Sequence, residues 1–151
     1  MNKIEKMNCV IAREIMRWQE MEMSNNKVFI IHNSGQPFHL YNQLKFHNDY
    51  SWLMKAVEQI ERRAFCVCID GDYYMGRRNT VTINGVGKFN KAKQLGDFAC
   101  EIKCGKDTKY RTAPEWEKYS KKTGITPKME TLYEAVYQFA KYYNVRQYNK
   151  K

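Results

Sequence analysis

Prolines number only three in 151 residues, and no run approaches the roughly 18 apolar residues that a membrane-spanning helix needs. The first scarcity, together with a hydrophobic share of 43%, argues against a disordered chain and for a globular one. The second excludes a helical membrane anchor. Acidic residues are also few: 16 Asp and Glu stand against 26 Lys and Arg, a formal net charge of +10. Catalytic signatures are missing too, with no G-x-S-x-G, H-E-x-x-H or complete P-loop. The opening MNKIEKMNCVIAREIM scatters charges among its apolar residues, so it does not read as a secretory signal. Five cysteines, an odd number, then point to reduced thiols in a cytoplasm rather than a disulfide framework.

What is present is one domain's worth of chain, long enough for a single core. A first helix is expected over residues 3–20, where Ile4, Met7, Ile11, Ile15 and Trp18 recur at spacings of three and four. Ser24-Asn25-Asn26 reads as a turn, and the β-branched and aromatic stretch Lys27–His32 as a strand. Asn33–Pro37 is turn chemistry, and Phe38–Phe46 is a weaker candidate for a returning strand.

The most legible stretch is Phe46–Asp70. Asn48 or Asp49 can cap a helix whose stripe is Leu53, Ala56, Val57, Ile60 and Ala64, with Arg62 and Arg63 suited to its last turn. Phe65–Ile69 is apolar on both alternating sets and predicts a central strand covered on both faces. Asp70-Gly71-Asp72 is a turn signal. Tyr73–Arg78 and Asn79–Asn84 follow as two extended pieces, the second with Val81 and Ile83 inward. Asp97–Lys103 alternates again. Residues 105–126 read as a long basic loop with one helical turn near 115–120. A last helix is expected from Thr126 and Pro127, with Met129, Leu132, Tyr133, Val136, Ala140 and Tyr143 as its stripe and residues 145–151 as a frayed tail.

Three constellations carry possible chemistry. Cys66-x-Cys68 with Cys100 and Cys104 offers four thiols, but the spacing is not that of a zinc knuckle, and an apolar strand is a common home for free thiols. A core role and no metal are therefore expected. His32, His39 and His47 fall within sixteen residues without an acid-rich metal signature, and Gly85-x-Gly87 before Lys88 lacks the rest of a phosphate-binding loop. Neither assigns catalytic residues or a cofactor.

The third is basic and aromatic: Tyr73, Tyr74, Arg77 and Arg78, then Lys88, Lys91 and Lys93, then Lys109, Tyr110 and Arg111. Rings can stack on bases while Lys and Arg neutralise phosphates. A solvated basic surface with tyrosines closing sheet edges explains the same pattern. The last third of the chain is the most basic, with 11 Lys and Arg against 5 Asp and Glu over residues 105–151. Such a field favours anionic partners.

Ile11–Trp18 (IAREIMRW), Asn48–Glu61 (NDYSWLMKAVEQIE) and Leu132–Asn144 (LYEAVYQFAKYYN) together resemble the phage ABA sandwich domain family. These are small phage and prophage proteins, mostly of unassigned function. The similarity covers the helices. It departs at Arg17, where the family often has a small residue, and over Gly85–Ile125, which stands as added material. The resemblance implies a compact α/β sandwich, a phage origin and a bacterial host cytoplasm; it brings no catalytic residues.

The expectation is thus a single α+β domain over 1–151, with a mainly antiparallel sheet of about four to six strands and three main helices. Its expected role is that of a small non-enzymatic phage accessory protein. It would be a counter-defence inhibitor that binds an anionic nucleotide signal or a host immune protein. The alternative is a basic DNA- or RNA-binding protein in phage gene control or replication. Tyrosine-rich helices also allow a homo-oligomer.

Overall fold

A computed structural model describes residues 1–30, 38–63, 65–70, 78–85, 98–103 and 113–149. The chain is α+β: the described residues form six antiparallel strands, divided between two three-stranded sheets, and four α-helices. The expected class holds. The strands form two sheets rather than one, and there is a fourth helix.

Helix α1 (Lys3–Glu14) starts on a capping box: Asn2 Oδ1 accepts the Glu5 N–H at 2.8 Å, and Glu5 accepts the Asn2 N–H at 2.9 Å. It ends six residues before the expected Glu20. Arg17 takes a left-handed conformation (φ 56°), and the chain turns into β1 (Gln19–Met23). The α1 terminus is held from a distance, because the Arg63 guanidinium donates to the carbonyls of Glu14 at 3.0 Å and Ile15 at 2.7 Å. A cation on exposed C-terminal carbonyls satisfies acceptors that the helix cannot. Arg63 thus serves the first helix and not only the one that ends beside it.

Strand β1 pairs with β2 (Asn26–Ile30) through a two-residue turn. Ser24 and Asn25 have φ of 51° and 67°, the pattern of a type I′ turn that suits the twist of a hairpin. Strand β3 (His39–Leu40) completes this sheet in the order β1-β2-β3 and passes at once into a 3-10 turn (Tyr41–Gln43), so the expected strand over 38–46 is short. Neighbouring Val28 and Phe29 of β2 are both fully buried, which makes β2 a central strand covered on both faces.

Helix α2 (Tyr50–Glu61) is capped by Asp49, whose Oδ1 accepts the N–H groups of Ser51 and Trp52. Leu53, Ala56, Val57 and Ile60 are buried as the stripe predicts; Ala64 lies outside the described residues. Among the described residues, strand β4 (Phe65–Asp70) pairs on one side only and is not central. The second sheet runs β4-β5-β6, with β5 (Arg78–Gly85) in the middle and β6 (Phe98–Lys103) on the far side. The core packs on one face of this sheet, reached by Phe65, Val81 and Ile83. Phe65 is buried, Val67 is half-buried, and Cys66 and Cys68 are exposed, so these two thiols are not core residues. Val81 and Ile83 of β5 are fully buried, as expected.

The expected loop over 105–126 contains a full helix, α3 (Ala113–Thr123), with Trp116 completely buried; residues 104–112 lie outside the description. Gly124 (φ 78°) ends it. Its N–H donates to the Ser120 carbonyl at 2.7 Å, and the Thr126 hydroxyl then accepts the Met129 N–H at 3.2 Å to start α4 (Pro127–Asn149). That helix continues past Asn144 through most of the expected frayed tail. Helix α4 lies against α1, α2, β5 and β6 and is the hub of the molecule. One continuous core joins Ile11, Phe29, Leu53, Phe65, Ile83 and Phe139, with the Phe65 and Phe139 rings edge to face at 4.8 Å.

Candidate functional site

Of the basic and aromatic residues singled out in the sequence, Tyr73, Tyr74, Arg77, Lys88, Lys91, Lys93, Lys109, Tyr110 and Arg111 lie outside the described residues, as do His32 and Cys104. Arg78 is described at its backbone: it opens β5 and pairs in register with Lys103 of β6, so two basic residues meet at one end of the second sheet. Cys100 pairs with Val81, one position out of step with the Cys68–Thr82 pair. The three cysteines therefore do not share a row.

A basic–aromatic assembly does form, from residues that local patterns did not group. The turn at Arg17 carries Trp18 off the end of α1. Its ring centroid lies 5.8 Å from His39, 5.8 Å from Phe46 and 5.9 Å from Trp52. His39 and Trp52 are 5.1 Å apart, and Phe46 and Trp52 are 5.2 Å apart, each edge to face. Phe46 is fully buried, whereas Trp18, His39 and Trp52 are half-buried and border solvent. Burial lowers the pKa of His39, and the positive charges of Lys45 and Lys55 lower it further. Both lysines are exposed. Ring edges and faces at a surface, next to two ammonium groups, are the ingredients for stacking a base and neutralising a phosphate.

A second ordered cluster lies where α1, α4 and the segment before α2 meet. Asn8 is almost fully buried, and its Nδ2 donates to the Leu44 carbonyl at 3.1 Å. A carbonyl can only accept, which fixes the orientation of the amide. The same Nδ2 lies 2.9 Å from His47 Nδ1, so that nitrogen is the acceptor and the neutral ring carries its proton on Nε2. The Tyr133 hydroxyl donates to Asn8 Oδ1 at 2.9 Å. Burial lowers the pKa of His47 and, more than any neighbouring charge, raises that of Tyr133. Neutral partners, every one hydrogen-bonded, are the arrangement a buried polar network requires.

Two clefts flank the first turns of α4. One, of about 330 Å³, is lined by Lys3, His47, Tyr119, Tyr133 and Glu134. The other, of about 400 Å³, is lined by Tyr50, Ile69, Thr126, Lys128 and Met129. The first mixes both signs of charge around a hydrogen-bonded network. The second brings Lys128 and an exposed tyrosine to the positive end of a long helix.

No family model matches the chain, and no curated protein or solved structure matches it. Chemistry must then come from the side chains. Among the described residues no group of three or more His, Cys, Asp or Glu is placed to hold a metal ion, and no helix is long and apolar enough to cross a membrane. Neither described histidine is hydrogen-bonded to a carboxylate that would make it a general base. His39 is packed among rings, and His47 is tied to an amide. The basic–aromatic corner is the arrangement best suited to taking a ligand.

Proposed function

We propose that the protein is a small non-enzymatic binding protein, and that it takes an anionic nucleotide at the Trp18–His39–Trp52 corner. The observation that carries this reading is the company of half-buried Trp18 and Trp52 with Lys45 and Lys55. Stacking a base on an aromatic ring contributes about 1–3 kcal/mol, and phosphate neutralisation adds to it. The resemblance to small phage proteins supplies the setting: counter-defence in the bacterial host cytoplasm, by sequestering a nucleotide signal or by engaging a host immune protein.

The test is a thermal-shift panel of linear and cyclic nucleotides. A ligand at one hundred times its dissociation constant stabilises the native state by about 2.7 kcal/mol, a Tm rise of roughly 5–10 °C for a chain of this size. One nucleotide class is expected to give a saturable rise. A flat response across the panel removes the nucleotide reading, and capture of a host protein from a lysate would then support the protein-binding form.

The net charge of +10 and the Arg78–Lys103 pair favour a second reading, binding of DNA or RNA in phage gene control or replication. It predicts a mobility shift that weakens steeply with salt, because phosphate contacts release counterions. Absence of a shift at low salt rules this reading out.

A further inference from the structure

Cysteine is among the residues most often found inside proteins, and Cys9 follows that habit while Cys66 and Cys68 do not. These two alternate with Phe65 and Val67, so both stand on the face of β4 that turns away from the core. Their sulfurs are 3.5 Å apart. In register they pair with Asn84 and Thr82 of β5.

The 3.5 Å separation is that of a hydrogen bond between two thiols, and it also bears on what the pair can form covalently or with an ion. A disulfide needs sulfurs at about 2.05 Å and Cα atoms no more than about 6.8 Å apart, and alternate residues of a strand, at about 3.3 Å per residue, already lie near that limit. A tetrahedral ion held by thiolates at about 2.3 Å spans its two sulfurs by about 3.8 Å. The observed separation is within a small side-chain rotation of the second figure and far from the first. A linear two-coordinate ion would need roughly twice the bond length, about 4.6 Å, and fits less well.

We propose that Cys66 and Cys68 form a two-thiolate chelate for a thiophilic divalent cation of the zinc and cadmium type, on the open face of the second sheet. Binding exchanges two S–H protons for two metal–sulfur bonds, with no change of oxidation state. The remaining coordination positions belong to water or small exogenous ligands, as in an exchangeable site rather than a closed structural one. The chelate is independent of the nucleotide corner.

The experiment titrates Cd²⁺ into the fully reduced protein, kept free of oxygen and chelators, and follows thiolate-to-cadmium charge-transfer absorption. One ion per chain is expected, displaceable by Zn²⁺. Cys66→Ser and Cys68→Ser each remove one arm of the chelate and are expected to weaken binding roughly 100-fold. Cys9→Ser is expected to leave the absorption unchanged. Both chelating cysteines are exposed, so circular dichroism of the double variant is expected to match the parent. Retention of the band in that double variant, or no saturable absorption in the parent, overturns the proposal.

Discussion

His39 and His47 are eight residues apart, and burial lowers the pKa of both, yet their surroundings are of opposite kinds. His47 is held by Asn8 in a network whose every link is a hydrogen bond of fixed direction. His39 is held by ring contacts with Trp18 and Trp52, which have soft geometry, and feels the charges of Lys45 and Lys55 as well. In the first region the Asn8 amide, His47 Nδ1 and the Tyr133 hydroxyl are all hydrogen-bonded within the protein. The second leaves two tryptophans half-exposed beside solvated cations. A satisfied network gains little from a ligand, whereas a half-exposed ring cluster can bury its remaining surface against one. This contrast is the ground for proposing a binding role at His39 and an architectural one at His47.

The largest expected effect tests the architectural half. Asn8→Leu leaves the Leu44 carbonyl, His47 Nδ1 and the Tyr133 hydroxyl without their amide partner, and is expected to cost about 3 kcal/mol. Denaturant unfolding checks it; a loss below about 1 kcal/mol would make the network incidental. Next comes Trp52→Ala, which removes contacts with three rings. It is expected to destabilise by about 2 kcal/mol and to abolish the nucleotide-induced Tm rise. A stable variant that still binds would move the site elsewhere. Tyr133→Phe deletes one donor and keeps the ring, for an expected loss of about 1 kcal/mol with nucleotide response intact.

The smallest effect is the pH dependence. Both histidines have folded pKa values below their unfolded ones, so on acidification the unfolded chain takes up these protons first. Their contribution to stability is complete above the unfolded pKa of about 6.5 and is lost as pH falls through the folded values. His39→Phe and His47→Gln are each expected to flatten part of the fall in Tm between neutral and mildly acidic pH. Salt separates them. The share belonging to His39 shrinks as Lys45 and Lys55 are screened, while that of His47, caused by burial alone, persists.

Helices α2 and the start of α4 were legible because their signals are local: Asp49 and Thr126 cap, and the stripes follow at three and four. Trp18 shows the limit of that reasoning. It keeps the spacing of the α1 stripe and packs against the core, but the backbone has already left the helix, because periodicity reports which side is buried rather than the dihedral angles. The apolar run Phe65–Ile69 suited a doubly covered strand equally well, but the core lies on its Phe65–Val67 face, which leaves the cysteines on the open one. Helix α3 did carry signals, with Glu115 in its first turn, Lys121 and Lys122 in its last, and Gly124 beyond. Its lysine-rich surface masked them. The basic–aromatic corner was not legible, since Trp18, His39 and Trp52 are far apart in sequence and meet only through the turn at Arg17 and the pairing of β2 with β3.

Three tryptophans make the central claim directly testable. Trp18 and Trp52 belong to the proposed corner, and Trp116 is buried in α3 with no exposed surface. The measurement is a ¹H–¹⁵N spectrum of the indole N–H groups during titration with the nucleotide that gives the largest Tm rise. The Trp18 and Trp52 signals are predicted to shift together and saturate, with Trp116 unmoved. Saturable binding that leaves both corner signals in place would contradict the account.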